Sequence, residues 1–252
     1  MPRGVILCIV HQRPSYPARL GCLFMGRGFL LDVRCPHIGQ ALPASTDGYA
    51  ATLMFGGPQS AYDDHIPAIR EELVWLERNL DGRAPFVGVY LGAQMLARAL
   101  GAKVWRHPRE RVEIGYTEIN PTQAGRPYFD GPMRVYQWHK DGFDLPDCAT
   151  LLAAGDDEFP NQCFRYGDHC YAMQFHPEIT FEMMCRWTKG AAHRLVLPGA
   201  MARDEQIRLH PELDPPFGAW ADRFVDHVIR LAEARGALVA SGATDVARVT
   251  VG

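Results

Sequence analysis

The 252 residues, 47% of them hydrophobic, are enough for one full-sized α/β domain, or at most two small ones, with a core that needs no disulfide or metal support; a peptide, a coiled coil and a disordered tail are excluded. With 26 Lys plus Arg against 29 Asp plus Glu the formal net charge is −3, which lacks the positive field that a phosphate backbone demands, so nucleic acid is not an expected partner. The 7 cysteines form an odd set without a Cys-x-x-Cys pair and read as reduced, mostly buried thiols of a cytoplasmic protein.

In chain order, the apolar run at residues 4–10 is cut by His11-Gln12-Arg13 before it reaches the length of a signal-peptide core, and reads as a strand. Further runs rich in Val, Ile, Phe and Leu lie at 29–33, 52–55 and 85–89, with helical spacing between several of them, which is the βαβ signature of a parallel sheet. Ile69, Leu73, Leu76 and Leu80 predict a helix over 66–80, and Met95, Leu96 and Leu100 a second one that stops at Gly101. From 103 to about 175, strands alternate with turn-rich connections, as in an antiparallel extension of the sheet. Helices are predicted again at 181–197 and 217–235, and the region between, which holds Pro198, Pro211, Pro215 and Pro216, reads as a long surface connection. Residues 240–252 are small and polar enough to fray. No stretch approaches the roughly 20 apolar residues needed to cross a bilayer, so a soluble protein without a membrane partner is expected. The predicted organisation is a doubly wound α/β domain over 1–197, its sheet mostly parallel with an antiparallel extension, and a C-terminal helical extension over 198–252 packed on the same domain.

The most informative segment is Pro85-Phe86-Val87-Gly88-Val89-Tyr90-Leu91-Gly92-Ala93-Gln94. A buried strand runs through Gly88-x-Tyr90-x-Gly92 straight into a helix, the layout of a nucleophile elbow. The sharp turn forces its central residue into strained dihedrals, and side chains two positions away would collide, hence the glycines. Backbone N–H groups at the helix start, beginning with Leu91, are free to face an oxyanion. Phe55-Gly56-Gly57-Pro58 ends an earlier strand and can carry a second such N–H into the same crevice. Downstream, Gln174-Phe175-His176-Pro177-Glu178 ends another strand with an imidazole and, two residues later, a carboxylate to orient it.

Taken together and in this order, the three segments resemble the class I glutamine amidotransferases, over roughly residues 5–178. The resemblance implies the three-layer, flavodoxin-like fold of that family and hydrolysis of the glutamine side-chain amide to glutamate and ammonia by a Cys-His-Glu triad. Carried across, His176 matches the general base and Glu178 its orienting carboxylate. Gly57 and Leu91 match the oxyanion donors, and Gly56, Gln94, Trp138 and His139 the glutamine pocket, the last two through the segment 133–141. At the nucleophile position this chain has Tyr90 where the family has Cys. An unperturbed phenol is about a thousandth ionised at pH 7, against a few per cent for a thiol, and its longer ring would project past the oxyanion donors into substrate space. An inactive or impaired glutaminase is therefore the first expectation. A non-catalytic binding module or regulatory partner of a synthetase is the alternative, with hydrolysis of another γ-glutamyl-type substrate beside it. The implied partners are glutamine or a related small amino acid and a separate synthetase chain.

Other chemistry finds little support in the sequence. The 10 histidines include no His-Glu-x-x-His helix, and no Cys/His cluster has zinc-finger spacing, so dispersed histidines, no metal and no cofactor are expected. Gly26-Arg27-Gly28 precedes a strand instead of following one, unlike a dinucleotide fingerprint. No phosphate-binding Gly-x-x-x-x-Gly-Lys-Ser/Thr loop is present, and the basic cluster at 106–111 reads as a solvated loop.

Overall fold

The alternation of apolar runs and helical spacing produces a wound sheet. In the computed structural model, which describes residues 2–13 and 15–238, β1 (Val5–Ile9), α1 (Ala18–Gly26), β2 (Leu30–Arg34), β3 (Ala51–Met54), α2 (Pro67–Asn79), β4 (Phe86–Val89) and α3 (Leu91–Ala99) follow one another. Next come the strands β5 (Val104–Arg106), β6 (Glu113–Pro121), β7 (Met133–His139), β8 (Asp141–Phe143), β9 (Ala149–Ala154), β10 (Asn161–Tyr166) and β11 (Cys170–Met173), and then α4 (Phe181–Gly190) and α5 (Arg203–Ala234).

Nine strands form one sheet in the order β2-β1-β3-β4-β11-β10-β9-β6-β7. The first five run parallel, with registers such as Ile6↔Ala51, Thr52↔Phe86 and Ala172↔Gly88. From β11 onward every neighbouring pair is antiparallel, and β5 with β8 makes a separate small pair. β1, β3, β4 and β11 are buried along their whole length, as strands covered on both faces must be. α1 packs with α5 and α2 with α3. The fold is a doubly wound α/β sheet with an antiparallel extension, and it places the carboxyl ends of β3, β4 and β11 side by side, where ligands of such sheets bind.

Two expectations are corrected. The helix predicted over 181–197 ends at Gly190, where glycine disfavours a further turn, and a short 3₁₀ turn, Ala192–Arg194, follows. The surface connection predicted over 198–216 is mostly helix: α5 begins at Arg203 and carries Pro211, Pro215 and Pro216 inside it. Each proline removes an N–H and crowds the carbonyl four residues back, so the helix there is held from outside. Arg19 pairs with Asp214 at 2.5 Å, Tyr116 Oη lies 2.8 Å from His210 Nδ1, and Phe217 is fully buried. The tail expected to fray, 240–252, lies outside the described residues. None of the described helices is long and apolar enough to cross a membrane.

Candidate active site

β4 delivers its last residue directly to α3, and the turn between them is strained. Tyr90 has φ 49° and ψ −102°, a region a side chain seldom enters without an imposed reason. The amide of Tyr90 is held by Met173 O at 2.8 Å, so β11 fixes the turn from the side. The flanking glycines answer to contact distances: a Cβ on Gly88 would lie 2.5 Å from Gly92 O, and one on Gly92 only 2.1 Å from Met54 O.

Tyr90 is 5% exposed and its ring sits between the Gly56 turn and His176. A Cβ on Gly56 would meet Tyr90 Cδ1 at 2.8 Å and His176 Cε1 at 3.1 Å, so glycine there makes room for both rings. The Tyr90 and His176 ring centroids are 5.5 Å apart. Burial pushes the Tyr90 phenol well above its ordinary range, and the nearby Asp141 carboxylate pushes it further.

His176 Nδ1 lies 2.7 Å from Glu178 Oε1, both side chains being buried. The carboxylate can only accept, so Nδ1 carries the hydrogen and Nε2 is the basic nitrogen. That Nε2 is buried without a hydrogen-bond partner, and Tyr90 makes no side-chain hydrogen bond to it. The Gly57 N–H has no partner among the described residues, and the Leu91 N–H opens the first turn of α3, where helical amides have no intrahelical acceptor.

Tyr90, His176, Glu178, Gly56, Gly57 and Trp138 line one crevice of about 430 Å³. Leu91, Gln94 and His139 do not line it. Gln94 is fully buried and donates from Nε2 to Asp141 O at 3.0 Å, a carbonyl that Gln174 Nε2 also reaches at 2.8 Å. His139 is equally buried, with Nδ1 3.2 Å from the same carbonyl and Nε2 2.7 Å from Glu113 Oε2. These two side chains brace the β7–β8 turn behind the site.

The opposite wall comes from residues that motif spacing did not single out: Tyr16, Arg186, Trp187 and Arg194. Arg194 stacks its guanidinium over Trp138 at 5.5 Å, and its Nη2 is buried without an acceptor. It reaches the crevice because α4 stops at Gly190 and the chain turns back, a break that helical periodicity does not announce. None of the seven cysteines lines the crevice. Cys8 and Cys163 sit in the sheet with thiols pushed far up by burial, and burial pushes Cys170 up to about 12.

Comparison with known proteins agrees with this architecture. The family model "Glutamine amidotransferase class-I" matches residues 32–184, more than half of the chain. The glutamine amidotransferase-like protein YfeJ of Salmonella typhimurium is 34% identical over 165 residues, 62% of this chain and 68% of that protein. A glutamine-hydrolysing GMP synthase of Porphyromonas gingivalis is 33% identical over 143 residues, which are 55% of this chain and 26% of that protein. Among solved structures, a glutamine amidotransferase from Thermotoga maritima superposes with a TM-score of 0.69 at 27% identity, covering 94% of this chain and 97% of that one. One from Methylobacillus flagellatus reaches 0.81 at 23% identity over 96% and 98% of the two chains, a likeness of fold. With its family model, its relatives and its wound sheet in agreement, the chain belongs to the class I glutamine amidotransferase family.

Proposed function

We propose that this protein keeps the base and oxyanion apparatus of a glutamine amidase but does not hydrolyse glutamine, because Tyr90 stands at the elbow in place of a cysteine. The observation that carries this reading is the position of the Tyr90 ring, wedged between Gly56 and His176. A thiol at that Cα would leave the space beside Gly57 N–H and Leu91 N–H open for the amide carbon and the developing oxyanion. The phenol fills that space, and its raised pKa leaves almost no phenolate for attack. His176, whose Nε2 has no proton source within hydrogen-bond reach, is a base without a nucleophile to serve.

The test is ammonia release from L-glutamine by the unmodified protein and by Tyr90→Cys, side by side. The expected result is no release above background from the first and measurable release from the second, abolished again by His176→Ala in the Tyr90→Cys background. Turnover by the unmodified protein overturns the reading.

One observation favours a second role for the same crevice. Arg194 holds a guanidinium nitrogen without an acceptor, beside Arg186 and the Trp138 face, a combination suited to a carboxylate on a small amino-acid ligand. On this reading the unmodified protein binds glutamine or a related amino acid without turning it over. The chain spans about a quarter of the length of the relatives named as GMP synthases, and the partner this reading proposes is a synthetase chain that consumes ammonia or is regulated by this protein. All seven cysteines are unpaired, which suits a reducing, cytoplasmic setting.

A further inference from the structure

Behind the Gly56-Gly57 turn, on the side away from Tyr90, three ligand-type side chains from three elements converge. His11 follows β1, His37 lies in the 3₁₀ turn Pro36–Ile38 after β2, and Glu72 is on α2. The side chains of His11 and Glu72 are 0% exposed and that of His37 is 10% exposed. His11 Nε2 is 3.1 Å from Glu72 Oε2, His37 Nε2 is 3.6 Å from Glu72 Oε1, and one donor atom of each residue lies within 4.8 Å of the others.

The hydrogen-bond arithmetic of this cluster is incomplete. His11 Nδ1 lies 3.3 Å from Gly56 O. A carbonyl only accepts, so Nδ1 carries the hydrogen and Nε2 of the neutral ring presents a lone pair. That lone pair would face a carboxylate oxygen at 3.1 Å in a buried site, an arrangement that needs a positive charge in the gap, either a proton on Nε2 or a metal ion. His11 Nε2, His37 Nε2 and both Glu72 oxygens are buried without a hydrogen-bond partner. The spacing also admits a metal ion. Ligand bonds of about 2.0–2.1 Å in a tetrahedron give donor separations of about 3.3–3.4 Å. The imidazole nitrogens lie 3.1 and 3.6 Å from the two different oxygens of Glu72, and one donor atom of each residue lies within 4.8 Å of the others, so a small rotation of the Glu72 carboxylate would close the set around an ion.

We propose that His11, His37 and Glu72 form a site for a divalent transition ion of the zinc class, with a water molecule as the fourth ligand. Two imidazoles and one carboxylate suit such an ion by ligand softness and net charge. Each ring's other nitrogen has its orienting partner. His11 Nδ1–H is directed at Gly56 O, and Gln59 Nε2 is 3.1 Å from His37 Nδ1. Ligation through His37 Nε2 needs the hydrogen on Nδ1, which Gln59 accepts once its amide is turned over, at the loss of a 3.3 Å contact to His11 O. The ion would tie the ends of β1 and β2 to α2 and, through His11, hold the Gly56 carbonyl adjoining the Gly57 N–H. It is a structural support for the oxyanion turn, independent of what stands at position 90.

The test is titration of the chelator-treated full-length protein with Co²⁺, followed by visible absorption and by competition with Zn²⁺. The expected result is one saturable equivalent with the d–d bands of a four- or five-coordinate ion, no sulfur-to-cobalt charge transfer, and displacement by Zn²⁺. His37→Gln and Glu72→Gln should lose it, Gln59→Ala should weaken it by about 10- to 100-fold, and the exposed-residue control His65→Gln should leave it unchanged. Circular dichroism confirms that each variant is folded. No saturable binding by the folded unmodified protein overturns the proposal, and means that an imidazolium proton bridges His11 and Glu72. Equal binding by folded His37→Gln also overturns it, since the ion would then sit elsewhere.

Discussion

Gly92 has room for a hydrogen atom and nothing larger. A Cβ there would stand 2.1 Å from the carbonyl oxygen of Met54, which is backbone and part of the end of β3. Substituting alanine must therefore push α3 away from the sheet or bend β3, and overpacking of this kind costs about 3 kcal/mol. Gly26, at the end of α1, is the matching control: its Cβ would meet nothing within 4 Å and its φ is ordinary. Removing the conformational freedom of glycine from the unfolded chain there should stabilise by about 0.5 kcal/mol. Urea unfolding of Gly92→Ala and Gly26→Ala is expected to shift the midpoint in opposite directions. A midpoint for Gly92→Ala equal to that of the unmodified protein would mean that the tight elbow is not a constraint.

At the scale of elements, what the sequence makes legible follows from how local the signal is. The β4–α3 elbow could be read because strand, glycines and helix are contiguous, and the His176–Glu178 pair because its members are two residues apart. The second part of α5 was legible from 217 onward, but its first part, 203–216, was not, because three prolines within it give the local signal of a break, while the forces that keep it helical come from elsewhere in the chain. The cluster of His11, His37 and Glu72 has no sequence spacing at all; it exists only once β1, β2 and α2 are side by side. The ion pairs that pin α1 to α5 are non-local in the same way. Arg27 reaches Asp226 at 2.6 Å and Asp222 at 3.0 Å, with acid side chains about half exposed. Arg27→Ala is expected to cost about 0.5–1 kcal/mol at pH 7, solvent screening keeping the figure small. The Arg27 guanidinium, by hydrogen bonding, holds the Asp226 carboxyl below its ordinary value. A depressed carboxylate contributes its stability above the unfolded pKa, near 3.9, and loses it as pH falls through the folded value. The gap between unmodified and variant protein should thus be full at pH 7 and shrink below about pH 4. What remains there reports the bonds Arg27 makes to the Leu23 and Asp222 carbonyls. A gap that widens on acidification would refute the assignment.

At the scale of the whole molecule, α5 touches α1, α4, β3, β6 and β7. Phe217 and Trp220 are buried against Phe175 and Phe129, with ring centroids 5.9 and 5.2 Å apart, and Trp220 Nε1 donates to Tyr128 O at 2.8 Å. Phe224 packs on Tyr171 at 5.4 Å, and Tyr136 Oη donates to Gln206 Oε1 at 2.8 Å. These partners belong both to the parallel half of the sheet and to its antiparallel extension, so the helix joins regions that are distant along the chain. We therefore propose that the segment 198–238 folds as part of one unit with the part of the chain before it. Truncating a single buried Trp or Phe costs about 3–5 kcal/mol, and a whole domain is stable by only about 5–15 kcal/mol. Losing Phe217, Trp220 and Phe224 together exceeds what the rest can supply. Denaturant unfolding of the full chain, followed by far-UV circular dichroism and by tryptophan fluorescence, is expected to give coincident curves with one midpoint. A chain ending at residue 202 should show neither a cooperative transition nor a near-UV signal, because Phe175 and the aromatic face around it would stand in water. A cooperative transition in that shortened chain would show instead that α5 is an accessory laid on a finished domain.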